Sequence, residues 1–287
     1  SLYIKTKKMI KTIDVTSAKT SDIYQYLSAA VTPRPIAFVS SIDSEGNKNL
    51  SPFSFFNVFS VNPPILVFSP LRRVRNNTSK HTLDNLNQVK ECVISLVTEK
   101  IVQQVSLSSC DFDVETNEFE KAGFTEVKSD LVAPSRVKES PINFECKVSD
   151  IINLGKEGGA GSLILCKVLK IHINENVLDR NNAIDPFKLN IVSRLGSNWY
   201  GKTTQKSLYE IAKPISRIGM GIDNLPEEIR SSEILTGNEL AILASAENIP
   251  EKKEFTLRSN KNTVEKHILA KEFLSQDKAE EAWQMLL

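Results

Sequence analysis

Ile142-Asn-Phe-Glu-Cys-Lys-Val148 alternates apolar and polar residues, Gly155-Lys-Glu-Gly-Gly-Ala-Gly161 follows it, and Leu163-Ile-Leu-Cys-Lys-Val-Leu-Lys-Ile-His-Ile173 then runs apolar again. A period of two with one polar face predicts an antiparallel strand that is wet on one side. The glycine cluster reads as the turn that brings a second strand back beside it. It lacks the Gly-x-Gly-x-x-Gly spacing of a dinucleotide fingerprint and the Lys-Ser/Thr ending of a phosphate loop, and a strand follows it where either motif needs a helix. The pair is therefore a hairpin.

Upstream, the same logic predicts strands over Pro35–Ile42, from Asn47 to Ser51 after a turn at Asp43–Gly46, over Ile65–Ser69 and over Glu91–Val97. Helices are expected over Ser21–Val31, from Thr82 to Leu86 with Thr78 or Ser79 as N-cap, over Ile101–Leu107, and over Glu118–Gly123 with its glycine stop. Strands dominate without regular βαβ alternation, so the class is mainly β, an antiparallel barrel with peripheral helices. After Tyr200 the pattern changes. Leu225–Arg230, Asn238–Ala246, Asn262–Leu274 and Ala279–Leu287 read as helices, with apolar pairs four apart such as Ala270/Leu274 and Ala279/Trp283. The expected division is a β domain over 10–200 and a C-terminal helical extension over 201–287.

The chain has 287 residues and a formal net charge of +1. That balance gives no electrostatic case for a nucleic-acid or membrane-surface partner. No apolar run approaches the length of a membrane span. Ser1–Ile10 carries no leader pattern; Met9 is read as a candidate original start, with the residues before it added by cloning. Cys92, Cys146 and Cys166 lie in apolar runs and Cys110 stands apart, with no Cys-x-x-Cys pair, which fits core thiols in a reducing cytoplasm. His81, His172 and His267 are widely separated, so no metal site is expected.

Two further stretches carry candidate chemistry. Asn49-Leu-Ser-Pro-Phe-Ser-Phe-Phe-Asn57 mixes three phenylalanines with amides and hydroxyls. It suits a wall for a flat ligand of mixed polarity, although Phe53, Phe55 and Phe56 fit a core equally well. Between Phe68 and Thr82, Arg72, Arg73, Arg75, Lys80, His81 and Thr82 gather where a strand hands over to a helix. Such a junction can hold an anion, or it can be a solvated basic loop.

Taken together, Pro33-Arg-Pro-Ile-Ala-Phe-Val-Ser40, the Asn49–Asn57 stretch, Pro63-Pro64 and Lys80-His-Thr82 resemble the flavin reductase-like family of FMN-binding split β-barrels, the flavoredoxin type. Glu118-Phe-Glu-Lys-Ala-Gly123, Phe144-Glu-Cys146, Gly158-Gly-Ala-Gly161 and Arg194-Leu-Gly196 with Trp199-Tyr200 extend the similarity over about residues 10–200. The resemblance implies that Asn49, Leu50, Ser51, Pro52, Phe53, Ser54 and Phe55 line the flavin ring. It implies that Arg75, Lys80 and Thr82 hold the 5′-phosphate, with Ser69 and His81 beside it, and that Arg194 approaches from a later segment. His81 stands where the family usually has Asp. The same resemblance implies a homodimer with FMN near the subunit interface. It implies hydride transfer from NADH or NADPH to flavin N5, with no catalytic side chain and with electrons passing to free flavin, a partner protein or another acceptor. The alternative is an FMN-binding electron carrier reduced by a partner protein. A barrel that has lost its ligand is disfavoured by the retention of Lys80, Thr82 and the Asn49–Asn57 stretch.

Overall fold

The computed structural model describes residues 10–113 and 116–287; Met9 lies outside the described residues. Two compact units divide the chain, the first ending at Leu208 and the second spanning Tyr209–Leu287.

In the first unit, helix α1 (Thr20–Ala30) precedes strands β1 (Ala37–Ile42), β2 (Lys48–Phe53), β3 (Phe56–Val61) and β4 (Pro64–Phe68). Helix α2 (His81–Gln88), β5 (Glu91–Leu96), α3 (Val102–Leu107) and α4 (Glu118–Ala122) follow. The short hairpin β6 (Glu126–Val127) and β7 (Arg136–Val137) leads into the long hairpin β8 (Ile142–Asn153) and β9 (Ser162–Ile173). Helix α5 (Pro186–Leu189) and the pair β10 (Val192–Arg194) and β11 (Tyr200–Lys202) complete the unit. Seven strands form one sheet in the order β2-β1-β5-β8-β9-β4-β3, and every neighbouring pair is antiparallel.

β2 and β3 stand at opposite edges of that order, yet only Ser54 and Phe55 separate them in the chain. Three Cα steps span at most about 11 Å, so the sheet curls until its edges approach at this link. No β2–β3 ladder closes it among the described residues.

The curl buries both faces of the central strands. On β1, Ala37 and Val39 enter a core with Phe68, Leu86, Ile94 and Ile164, whereas Phe38 enters a second core with Leu50, Val97, Phe119 and Phe124. This explains why several strands read as continuous apolar runs. α2 covers the first core with Leu83 and Leu86; α3 and α4 cover the second with Val105 and Phe119.

The short elements β6, β7, α5, β10 and β11 are not predicted from the sequence, and three further departures bear on the site and its surroundings. β3 was not anticipated, because its mixture of aromatic and polar residues has no clean period. Asn143 and Glu145, expected on a wet face of β8, are both buried. The segment carrying β6 and β7 lies over them: Asn143 Oδ1 accepts the Val137 N–H at 3.1 Å, and Glu145 accepts the N–H groups of Asp130 and Leu131 at 2.8 and 2.6 Å. Finally, α2 starts after Lys80 without a side-chain cap. The Ser79 hydroxyl is spent on Asp84, and that of Thr78 on Asn76.

The second unit is built from α6 (Glu227–Arg230), α7 (Gly237–Ala244), α8 (Thr263–Ser275) and α9 (Ala279–Leu286). Reciprocal capping boxes start α7 (Thr236/Glu239) and α8 (Asn262/Glu265). Its core gathers Ile229, Leu243, Ala270, Leu274 and Trp283, and the Trp283 indole N–H donates to the Leu243 carbonyl at 3.2 Å. His267, only 5% exposed, faces the Ser232 hydroxyl, 2.7 Å from its Nδ1. Ser232 Oγ already accepts two backbone N–H bonds, from Ile234 and Leu235, so its proton points to Nδ1 and the ring is neutral.

Burial lowers the His267 pKa from its ordinary 6.5, Glu228 opposes this, and Lys266 reinforces it. The unfolded chain therefore takes up the proton first as pH falls. The contribution to stability is complete above 6.5 and is lost as pH drops through the lower folded value. Urea unfolding of the full chain carrying Trp199→Phe, so that fluorescence reports the buried Trp283 alone, is expected to show a midpoint that falls between about pH 7.5 and about pH 5. His267→Gln is expected to flatten that dependence; an equal slope in the variant contradicts the assignment.

Candidate functional site

The fold brings three separated segments together around one buried carboxylate. Glu118, the first residue of α4, is buried. Its Oε1 accepts the Asn49 side-chain amide and its Oε2 the Leu50 backbone N–H, both at 3.0 Å. Asn49 in turn accepts the Thr82 hydroxyl at 2.5 Å. α4, β2 and the first turn of α2 are thus locked by one chain of hydrogen bonds. Burial raises the Glu118 pKa above its ordinary 4.5, against the hydrogen bonds from Leu50 and Asn49 that favour the carboxylate.

Beside this chain lies a small polar cleft. Ser51, Arg73, Lys80, His81, Ser108 and Ser109 are among its lining residues, with Glu118 and Asp111. Arg73 pairs with Asp111 at 2.9 Å. Lys80 is half-buried. Burial lowers its pKa below 10.5, Arg73 lowers it further, and Asp111 acts against both. A desolvated cation held next to another cation gains from an anion placed between them.

The next residue, Val74, lines a second and larger cleft of about 580 Å³ with Tyr24, Ser28, Leu195, Gly196 and Trp199. This one is mainly apolar and aromatic, and Trp199 is 75% exposed at its rim. Phe55 joins it through Tyr24, with ring centroids 6.5 Å apart. Arg34 lies beneath: its guanidinium carbon is 5.4 Å from the Phe55 centroid, and it donates to the carbonyls of Ser28 and Val31 at the end of α1. A cation there complements the helix C-terminus. Arg194 pairs with Arg34 through two backbone hydrogen bonds of 2.9 and 3.0 Å. Its guanidinium carbon sits 4.5 Å from the Tyr200 ring centroid.

The glycine hairpin props up the basic loop. Gly159 N–H donates to the Arg72 carbonyl and Arg72 N–H to the Ala160 carbonyl, both at 2.9 Å. A Cβ on Gly158 would come within 3.1 Å of the Val74 carbonyl oxygen. Glycine at this position allows the hairpin backbone to approach the Arg73–Val74 junction between the two clefts.

The expected site residues are thus sorted by their surroundings. Ser51, Lys80 and His81 line the polar cleft, with Asn49 and Thr82 at its base. Ser54 faces Arg34 at 3.4 Å, and Phe55 and Arg194 flank the aromatic cleft. Leu50 and Phe53 place their side chains in the two cores. Pro52 is half-buried opposite Phe38 in the β1–β2 ladder. Ser69 sits against Gly161, where a Cβ would come within 2.6 Å of its Oγ. Arg75 is exposed, and it is Arg73 that turns into the polar cleft. The Thr82 hydroxyl is committed to Asn49 and is only 1% exposed, so it supports the cleft from below. Arg34 and Glu118 were absent from the expected set. Both lie in the short motifs that carry the family resemblance, but most of the groups they meet lie far away in sequence.

A family model for the flavin reductase like domain matches residues 29–188. The chain belongs to the flavin reductase-like family. An uncharacterized protein of Aquifex aeolicus (strain VF5) is 36% identical over 180 residues, covering 63% of this chain and 89% of the relative. Nitrilotriacetate monooxygenase component B from Bacillus cereus superposes with a TM-score of 0.66 at 28% identity, over 71% of this chain and 99% of that one. The 2-nitrobenzoate 2-nitroreductase NbaA of Pseudomonas fluorescens gives 0.64 at 27% identity, over 74% of this chain and all of that one. Membership places the chain among flavin-related oxidoreductases, and the family match ends before the helical unit begins.

The hydrogen-bond chain makes a stability prediction. Glu118→Gln leaves one buried donor without an acceptor and is expected to cost about 1–3 kcal/mol; Thr82→Val, which leaves Asn49 short of a donor, is expected to cost about 1 kcal/mol. The double variant should lose less than the sum, because both act through Asn49. Urea denaturation of the four proteins measures this, and strict additivity would mean that the three residues are not one network.

Proposed function

We propose that the chain binds FMN and works as an NAD(P)H-dependent flavin reductase. The observation that carries this reading is that consecutive residues, Arg73 and Val74, line a cationic cleft and an aromatic one. A flat ring with an anionic tail fits that pair, and FMN is the flavin of that shape. In this reading Tyr24, Phe55 and Trp199 flank the ring, Arg34 and Arg194 supply positive charge on its border, and Lys80, Arg73 and Ser51 hold the phosphate. Asn49, Thr82 and Glu118 fix the floor on which those groups stand. FMN held by these residues would supply the hydride chemistry, with NADH or NADPH as the donor. The residues bind, orient and leave one face open, which is why no acid–base dyad is called for.

The curled sheet, with sequence-adjacent strands at its two edges, is read here as a split β-barrel. A homodimer is supported by β3, an edge strand whose Val58, Phe59 and Val61 are all exposed; an edge of that kind is usually covered. The four free cysteines, three of them buried, favour a reducing cytoplasm. No helix among the described residues is long and apolar enough to cross a membrane.

The purified full chain should take up FMN, show its visible spectrum, and bleach on anaerobic addition of NADH or NADPH. Failure to bind FMN removes the whole reading; binding without bleaching by either nucleotide leaves an electron carrier reduced by a partner protein. Lys80→Ala should weaken FMN about tenfold or more, the size of one charged hydrogen bond. Arg75→Ala should change it less than about twofold. Equilibrium fluorescence titration of FMN decides between them, and the reverse ranking would move the phosphate to Arg75.

A further inference from the structure

A second polar centre lies where the β6–β7 hairpin covers the long hairpin. Glu145, fully buried, receives two backbone N–H bonds, and its Oε1 lies 2.6 Å from His172 Nε2. Asp130 stands close enough that one ligand atom each from Asp130, Glu145 and His172 lies within 4.8 Å of the others. That spacing could suggest a cation, but the charges around it favour the opposite. Lys170 pairs with Asp130 at 2.9 Å, and Arg136 Nε approaches Glu145 to 4.0 Å. Both carboxylates are already satisfied, and the surplus is in donors.

Arg136 shows that surplus. Its Nη2 donates to the Lys128 carbonyl at 3.0 Å, but its Nε is buried and has no hydrogen-bond partner among the described residues. A buried guanidinium N–H without an acceptor is costly. The same side chain lines a cleft of about 520 Å³, within the size range of small-molecule sites. Lys138, exposed and without a side-chain partner among the described residues, lines it too, together with the apolar side chains of Val127, Pro141 and Ile171. The cleft shares no lining residue with the two clefts of the proposed flavin site.

We infer that this cleft binds a small organic monocarboxylate: the carboxylate on Arg136 and Lys138, its apolar body on Val127, Pro141 and Ile171. A planar carboxylate matches the part of the Arg136 guanidinium that borders the cleft, while the buried Nε stays turned to Glu145 behind it. A monoanion fits better than a dianion, because a second full charge would face the Glu145 carboxylate behind Arg136. Free phosphate has the charge but nothing for the apolar wall; an uncharged amide has the body but not the anion.

Isothermal titration of the full chain, with excess FMN present throughout, tests this with sodium benzoate as the probe and benzamide and inorganic phosphate as comparisons. The expected result is one saturable benzoate site per chain that FMN does not displace, with benzamide and phosphate at least about tenfold weaker. Arg136→Gln should weaken benzoate about tenfold or more and Lys138→Gln about threefold, while Arg136→Lys recovers part of the loss. Absence of saturable benzoate binding, equal binding of phosphate or benzamide, displacement by FMN, or unchanged affinity in Lys138→Gln and Arg136→Gln would each overturn the proposal. If Arg136→Gln does not fold by circular dichroism, Lys138→Gln decides alone, because that side chain is exposed and makes no contact the fold needs.

Discussion

Glu118 has almost no water to hydrate its carboxylate, so the protein must supply the hydrogen bonds that water would. It takes them from the Leu50 backbone and the Asn49 amide, and that choice places β2 relative to α4. Because Asn49 also receives Thr82, the start of α2 is fixed by the same group. Everything proposed for the anionic end of the site rests on that positioning. Ser51 is two residues along the strand from Asn49, and Lys80 is two residues before Thr82 in the chain. A buried polar network of this kind adds less to stability than it does to geometry, since each bond replaces one that water could have made. Its value lies in allowing few other arrangements of the three segments.

Much of the architecture was readable from local pattern. The long hairpin showed itself through alternation and glycine, the central strands through apolar runs, and the last two helices through pairs four residues apart. What escaped were features decided by partners distant in sequence. Asn143 and Glu145 look solvent-facing until the segment around β6 and β7 is laid over them. Thr82 has the composition of a phosphate ligand, but its hydroxyl is claimed by a residue 33 positions away. Arg73 and Arg75 are indistinguishable by composition, and only the turn of the loop separates the one that faces the cleft. Family resemblance names a set of residues; it does not say which side chains point inward.

The glycine hairpin illustrates the same limit from the other direction. Its spacing excluded the familiar nucleotide-binding loops, and a hairpin turn is what it forms. The turn nevertheless bonds to Arg72 and packs on Val74, so it helps to hold the junction between the two clefts. The helical unit stands apart from this logic. Two of its helices, α7 and α8, start with capping boxes, and it has its own tryptophan-containing core.

The strand order has a consequence for how the chain is made. β4 pairs with β9 through partners such as Phe68 and Ile164, and β1 pairs with β5, which in turn pairs with β8. During synthesis β3 and β4 leave the ribosome as a hairpin with one open apolar edge, and nearly a hundred residues must be added before β9 arrives to cover it. At about 5–20 residues per second that wait lasts about 5 to 20 seconds. A nascent chain in this state is a template for strand addition by other chains until translation reaches the long hairpin.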